Sequence, residues 1–189
     1  MSYTDPRTAP AEWLTSLGLT LTPDYAKLLG WVLDRAGSPE YVLDVGYGWG
    51  ASTCLWLQQF PGAWVTTVDP LGIGEYANHR PTNLLAKAER DRWDFVHGKL
   101  EIETATVAVH GPFDFIYLDA DHEYDSTVAQ LGHCWEMLNP GGVLAGHDYY
   151  SFRDKVGAAV DEFVAWWELE LEVTDLDCGA WLIRKDGEE

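Results

Sequence analysis

Two short stretches gather the residues best suited to chemistry. Leu118-Asp119-Ala120-Asp121-His122-Glu123-Tyr124 and Gly146-His147-Asp148-Tyr149-Tyr150 each set carboxylates beside an imidazole, directly after an apolar run. If those runs are neighbouring strands, Asp119 and His147 or Asp148 approach each other across a crevice. Open α/β sheets bind their ligands there, at the carboxyl ends of the strands. Two carboxylates and an imidazole can hold a divalent metal through oxygen and nitrogen donors. Asp119, His147 and Asp148 are the candidate metal set. Such an ion can polarise a substrate hydroxyl and lower its pKa. His122 or His147 could instead take a proton directly as a general base. Asp119, His122 and His147 are therefore the candidate catalytic residues. The plainer alternative makes Asp121 and His122 caps of the following helix and His147 a satisfied core histidine.

A second motif is Asp44-Val45-Gly46-Tyr47-Gly48-Trp49-Gly50, which follows a predicted strand and opens a predicted helix. Glycines allow a tight turn and a close approach of ligand to backbone, and N–H groups at a helix start favour an anionic group. Gly46, Gly48 and Ala51 formally match a dinucleotide fingerprint. Asp44 argues against a dinucleotide, because its carboxylate would sit near the pyrophosphate. It suits a ligand with an ammonium group. S-adenosylmethionine carries an ammonium, a sulfonium and a ribose but no phosphate. Ser52 and Thr53 could donate hydrogen bonds to its carboxylate. Asp69, about 20 residues beyond the loop, can accept both ribose hydroxyls. That feature fits NAD equally well, and a turn cap before Pro70 is its plainer reading.

The elements that must position these residues follow from the hydrophobic pattern. Short β-rich runs alternate with longer amphipathic stretches, which predicts an α/β fold with a mostly parallel sheet. Helices are expected near Ala11–Leu17 and over Asp24–Ala36, Ala51–Phe60, Thr82–Arg92, Glu101–Val109, Glu123–Leu138 and Asp154–Trp167. Strands are expected over Tyr41–Val45, Ala63–Val68, Asp94–His97, Phe113–Leu118, Val143–Gly146, Leu171–Thr174 and Ala180–Arg184. The loop Pro70–Arg80, with Gly72, Gly74, Tyr76, His79 and Arg80, is a candidate cover for a substrate site. Trp135, Trp166 and Trp167 sit at helical spacing and read as packing residues.

The 189 residues fit a single domain: an N-terminal helical segment (1–38), a core (39–185) and a polar tail (186–189). No apolar run approaches the roughly 20 residues a membrane span needs. Met1–Pro10 lacks a basic region followed by an apolar one, so no secretory signal is expected. Cys54, Cys134 and Cys178 have no CxxC spacing and suggest a reducing, cytoplasmic setting. A formal charge of -19 makes nucleic acid a poor partner. A small-molecule partner is expected, no membrane, and the apolar N-terminal helices could pair in a homo-oligomer.

The glycine loop, Asp69, Leu118–Tyr124 and the run Asn139-Pro140-Gly141-Gly142-Val143-Leu144-Ala145-Gly146-His147-Asp148-Tyr149 together resemble the small class I S-adenosylmethionine-dependent methyltransferases. Asp119-Ala120-Asp121-His122-Glu123-Tyr124 resembles a signature of that group, Asp-Gly-Asp-His-Ser-Tyr. The group is allied to macrocin-type sugar O-methyltransferases and cephalosporin-hydroxylase-like proteins. The resemblance spans roughly Tyr41 to Arg184. It implies a Rossmann-like seven-stranded sheet, mostly parallel, with helices on both faces and the last strand antiparallel. It implies S-adenosylmethionine as cofactor, contacted by Asp44, Gly46, Gly48, Gly50, Ser52, Asp69, Gly98 and Asp119. In metal-dependent relatives, ligands sit at positions matching Asp119, His147 and Asp148, which makes Mg2+ the candidate ion. The family usually has two acids at the last pair, and His147 replaces one of them. The family's Gly-Asp-Ser at the adenine is Gly98-Lys99-Leu100 in this chain, so backbone contacts could persist there. The expected reaction is methyl transfer to a hydroxyl of a small molecule, a sugar on the family's example. The rivals are an NAD-dependent oxidoreductase and a non-catalytic cofactor-binding scaffold.

Overall fold

The computed structural model describes residues 23–71 and 85–187. The expected helix near Ala11–Leu17 lies outside them, as does most of the loop Pro70–Arg80. In chain order the elements are α1 (Pro23–Ala36), β1 (Tyr41–Val45), α2 (Ala51–Gln59), β2 (Trp64–Asp69), α3 (Lys87–Arg90) and β3 (Trp93–His97). They continue with α4 (Leu100–Ala108), β4 (Phe113–Leu118), α5 (Tyr124–Met137), β5 (Leu138–Gly146), α6 (Ala158–Trp167), β6 (Glu172–Val173) and β7 (Trp181–Arg184). The strands form one seven-stranded sheet in the order β3-β2-β1-β4-β5-β7-β6. The five strands β3 to β5 run parallel, and β7 pairs antiparallel with both β5 and β6.

Helices cover both faces because the central strands are apolar on both. Val42 packs on one face with Leu28, Leu29 and Val32 of α1 and Leu55 and Trp56 of α2. Its neighbour Leu43 points to the other face, among Leu100 of α4, Leu131 and Cys134 of α5, and Val160 of α6. This period-2 division is what a strand buried on both sides requires. Parallel pairing places every strand's carboxyl end, from β1 to β5, along one rim.

Several boundaries differ from the sequence expectation. β5 starts at Leu138 rather than Val143: Phe113 pairs with Leu138 and Phe115 with Val143, and the ladder shifts register between them. The Pro-Gly-Gly stretch is thus absorbed into an irregular strand start instead of ending the preceding helix in a loop. The helix expected over Thr82–Arg92 is a single turn, Lys87–Arg90, within the described residues. The first turn of the last helix is a π-turn over Arg153–Gly157, with α6 following from Ala158. Trp135 is buried as expected, but Trp166 and Trp167 are 81% and 51% exposed. α6 turns Ala159 and Val160 to the core, so of the tryptophan pair only Trp167 reaches the edge of the Trp135 and Phe163 rings.

Candidate functional site

The glycine loop is folded by the residues that sequence reasoning assigned to a ligand. Asp44 is fully buried. Its Oδ2 accepts hydrogen bonds from the Ser52 hydroxyl at 3.0 Å and from the Thr53 hydroxyl, and its Oδ1 accepts one from Trp56 Nε1 at 3.1 Å. Burial pushes the Asp44 carboxyl up to about 7, against the lowering effect of those donors. Asp44 ties the loop to α2 from behind and does not line the cavity described below. Gly50 lies outside the cavity lining too, serving as the left-handed cap of α2 with φ 75°. The Ser52 and Thr53 hydroxyls, expected to face an amino-acid ligand, here donate to Asp44. Ser52 still borders the cavity.

In front of the loop, at the carboxyl rim, is a cavity of about 670 Å³. Gly46, Gly48, Ser52, Asp69, Gly98 and Asp119 of the expected cofactor set border it. Gly46 has a φ of 101°, and a Cβ there would meet the Asp119 carbonyl oxygen at 2.0 Å. Glycine at 46 is what lets β1 and β4 close together at this rim. Asp69 ends β2, and its carboxylate accepts the Tyr47 N–H at 2.7 Å and the Leu71 N–H at 2.7 Å. The Gly46 N–H goes to the Val68 carbonyl and the Gly50 N–H to the Tyr47 carbonyl. Three of the loop amides, those of Gly46, Tyr47 and Gly50, are thus already bound to protein acceptors, one of them the Asp69 carboxylate. The anionic Asp69 at the rim argues against a dinucleotide more directly than Asp44, which does not line the cavity.

The catalytic candidates converge at the other end of the same cavity. Asp148, just past β5, holds a left-handed φ of 61°. Its Oδ2 lies 2.9 Å from His147 Nδ1 and 2.8 Å from His122 Nε2. Burial would raise the Asp148 carboxyl, but hydrogen bonding and charge from His122 and His147 outweigh it and hold it well below the usual carboxylate range. Asp119 Oδ1 is 3.8 Å from His122 Nε2 and 3.8 Å from His147 Nδ1. The carboxylates of Asp119 and Asp148 push the His122 imidazole up to about 10, against the effect of burial. At neutral pH His122 is therefore an imidazolium between two acids, and a ring already protonated is no general base. Its ring stacks on Phe152 with centroids 4.5 Å apart.

The expected metal trio is rearranged. Donor atoms of Asp119, His122 and Asp148 lie within 4.8 Å of one another. His147 instead uses Nδ1 on Asp148 and turns Nε2 away, toward Asp177 at 3.9 Å. The order of the strands alone could not reveal this, because His122 reaches back over the rim while His147 stays at the end of β5. Asp121 keeps the plain role: its Oδ1 accepts the Glu123 N–H at 3.0 Å before α5.

Two residues escaped the sequence reading. The Tyr25 hydroxyl of α1 donates to Asp119 Oδ2 at 3.3 Å. Burial, then the Asp119 and Asp44 carboxylates, hold that phenol well above its ordinary pKa, so it is a neutral donor. Nothing in sequence links positions so far apart. Gln130 of α5 borders the cavity beside Gly98, Lys99 and Leu100. Its Nε2 donates to Glu101 Oε1 at 3.1 Å, while its Oε1 is buried with no partner. Here a signal existed: Gln130 is a polar residue on the buried stripe of α5 that Thr127, Leu131 and Cys134 share.

Comparison with known proteins gives a consistent picture. A family model described as a methyltransferase domain matches residues 43–149. No curated protein matches the sequence. Among solved structures, a provisionally named caffeoyl-CoA O-methyltransferase from Staphylococcus aureus aligns with a TM-score of 0.72 at 13% identity, over 96% of this chain and 93% of that one. The O-methyltransferase TomG from Streptomyces achromogenes, involved in tomaymycin synthesis and solved with SAM, aligns with a TM-score of 0.69 at 16% identity, over 98% and 92%. MycE, a methyltransferase from the mycinamycin biosynthetic pathway solved with Mg and SAH, aligns with a TM-score of 0.68 at 15% identity, over 100% of this chain and 55% of that one. At these identities the likeness is one of fold. Among the described residues, no helix is long and apolar enough to cross a membrane.

Proposed function

Because the chain belongs to the methyltransferase-domain family, whose model spans residues 43–149, we propose that its rim cavity binds S-adenosylmethionine and directs the methyl group to a hydroxyl of a small molecule. One observation carries the reading: the left-handed glycine loop and the Asp119–His122–Asp148 cluster open on one cavity of about 670 Å³. The methionine end of the cofactor lies along Gly46, Gly48 and Ser52. The ribose meets Asp69, whose oxygens can each accept a second hydrogen bond. The adenine lies against Gly98, Lys99 and Leu100, with the Gln130 carbonyl oxygen facing its amine.

When bound, S-adenosylmethionine supplies an electrophilic methyl group on a sulfonium whose charge disperses as the acceptor oxygen attacks. The protein's main task is alignment, which can lower a barrier by about 7–11 kcal/mol. Asp119 orients the acceptor hydroxyl and takes its proton on a carboxylate oxygen as the oxygen–carbon bond forms. The Tyr25 hydroxyl, donating to Oδ2, and the His122 ring, facing Oδ1, hold that carboxylate in position. His147 holds Asp148 in place through Nδ1.

A divalent ion is the alternative occupant of this cluster: with the His122 proton displaced, Asp119, His122 and Asp148 would hold it. The set offers oxygen, nitrogen and oxygen donors, and His122 Nε2, close to Asp148, has no directed hydrogen bond. Mg2+ held by these residues would lower the pKa of the acceptor hydroxyl. MycE, which aligns over this whole chain, was solved with Mg and SAH. Sugar hydroxyls are the first acceptors to try, given the resemblance to macrocin-type enzymes, and phenols the second.

Calorimetric titration with S-adenosylhomocysteine and with NADH tests the cofactor. Binding of the first and not the second is expected, and the reverse result overturns the proposal. Full turnover in excess EDTA would remove the metal and leave the cofactor assignment standing.

A further inference from the structure

His147 is 9% exposed, and one of its two ring nitrogens is unaccounted for. Nδ1 donates to the Asp148 carboxylate at 2.9 Å. Nε2 is buried without a hydrogen-bond partner. It faces the turn before β7, where Asp177 Oδ2 lies 3.9 Å away. The Cys178 thiol completes a set whose donor atoms lie within 4.8 Å of one another. The backbone fixes this arrangement. The Tyr149 N–H bonds the Gly179 carbonyl at 3.1 Å and the Tyr150 N–H bonds the Cys178 carbonyl at 2.9 Å. Trp181 Nε1 donates to the His147 carbonyl at 3.2 Å.

We propose that His147, Asp177 and Cys178 form a binding site for one zinc-type divalent ion, distinct from the oxygen-rich cluster in the cavity. An imidazole nitrogen, a carboxylate and a thiolate are the donors that borderline-soft ions select, whereas Mg2+ prefers oxygen. Metal-binding imidazoles characteristically give their other N–H to a carboxylate, and Asp148 fills that role. Neither Asp177 nor Cys178 borders the cavity. The ion braces the turn against the end of β5 and, through His147, fixes the carboxylate of Asp148 that faces the acceptor. With Nδ1–H given to Asp148, the neutral ring offers its Nε2 lone pair, and binding displaces the Cys178 thiol proton into solvent. The inference does not depend on the methyl-transfer reading.

The test is titration of the chelator-treated full chain with Co2+ alone, followed by absorption. One equivalent should produce a thiolate-to-cobalt charge-transfer band, and Zn2+ should abolish it by competition. Cys178→Ser should lose the band and Asp119→Asn should keep it. Cys54 and Cys134 are fully buried internal controls. Absence of the band in the unmodified protein overturns the proposal. So does a band that survives in Cys178→Ser. Loss of the band in Asp119→Asn would mean that the ion depends on the cavity carboxylate and has no site of its own, and would overturn it as well.

Discussion

Asp44 and Asp119 stand at the carboxyl ends of neighbouring parallel strands, yet they do opposite work. Asp44 pairs with Tyr117 across the β1–β4 ladder, and the Asp119 N–H reaches the Val45 carbonyl at 2.8 Å, one step farther along. That short advance carries a carboxylate from beneath α2 to the open rim. Asp44 is enclosed by Ser52, Thr53 and Trp56 and half neutralised at neutral pH. Asp119 faces the cavity with a phenol and an imidazolium as neighbours. An acid in a glycine-loop motif can therefore be the motif's internal fastening, while the acid beyond it opens on the cavity.

Substitution at the two positions should separate these roles. Asp119→Asn keeps the shape but loses the proton acceptor. Turnover should fall about a hundred- to ten-thousandfold, with the urea unfolding midpoint nearly unchanged. A variant that keeps its rate would return the proton to another group and break the comparison. Asp44→Ala should do the reverse. It leaves the Ser52 hydroxyl and Trp56 Nε1 buried without their acceptor, at about 1–3 kcal/mol each. Thr53 suffers less, because it also lies 3.1 Å from the Thr67 hydroxyl. Urea denaturation should register that loss, while the protein that stays folded should bind S-adenosylhomocysteine nearly as before.

A gentler variant, Asp44→Asn, sharpens the contrast through pH. The folded carboxyl titrates near 7 and the reference carboxyl at 3.8. Between those values the folded chain binds more protons than the unfolded one, so this group's contribution to stability falls as pH rises. The loss is complete above about 7. Asn cannot titrate. Asp44→Asn should therefore gain stability relative to the parent as pH climbs from about 4 to 8, in thermal unfolding followed across that range. A constant difference would mean that Asp44 is ionised throughout.

The fold was legible because its signals are local: apolar runs of strand length, a glycine bend between strand and helix, and amphipathic spacing between them. Part of the Asp44 result was legible as well. Val42 and Asp44 share one face of β1 by strand period, and Val42 packs with α2. Reading the motif as ligand-facing ignored that parity. What sequence could not supply were distances between remote elements. Tyr25 meets Asp119 across 94 positions. Both His122 and His147 come within 3.8 Å of Asp119, and which ring nitrogen each turns toward it depends on how far each loop folds back over the rim. Likewise the start of β5 at Leu138 needed the register with Phe113, because Pro140-Gly141-Gly142 by itself reads as a break.

The smallest effect concerns Gln130, a third kind of buried polar group, one whose acceptor waits for a ligand. Asp44 is filled by protein donors and Asp119 meets Tyr25 and His122, whereas Gln130 Oε1 is buried and unpartnered beside Gly98, Lys99 and Leu100, where the proposed function puts the adenine. An adenine amine donating there should contribute about 1 kcal/mol, roughly fivefold in affinity. Gln130→Leu also removes the Nε2 bond to Glu101, so a drop in binding by itself would be ambiguous. The ligand supplies the cleaner comparison. S-adenosylhomocysteine and its inosine counterpart differ at the six-position, where the amine becomes a carbonyl, and at the adjacent N1, which gains a proton. The parent protein should prefer the amine, since two facing oxygens repel, and Gln130→Leu should lose that preference whatever happens to its overall affinity. Equal discrimination by parent and variant would move the adenine away from α5.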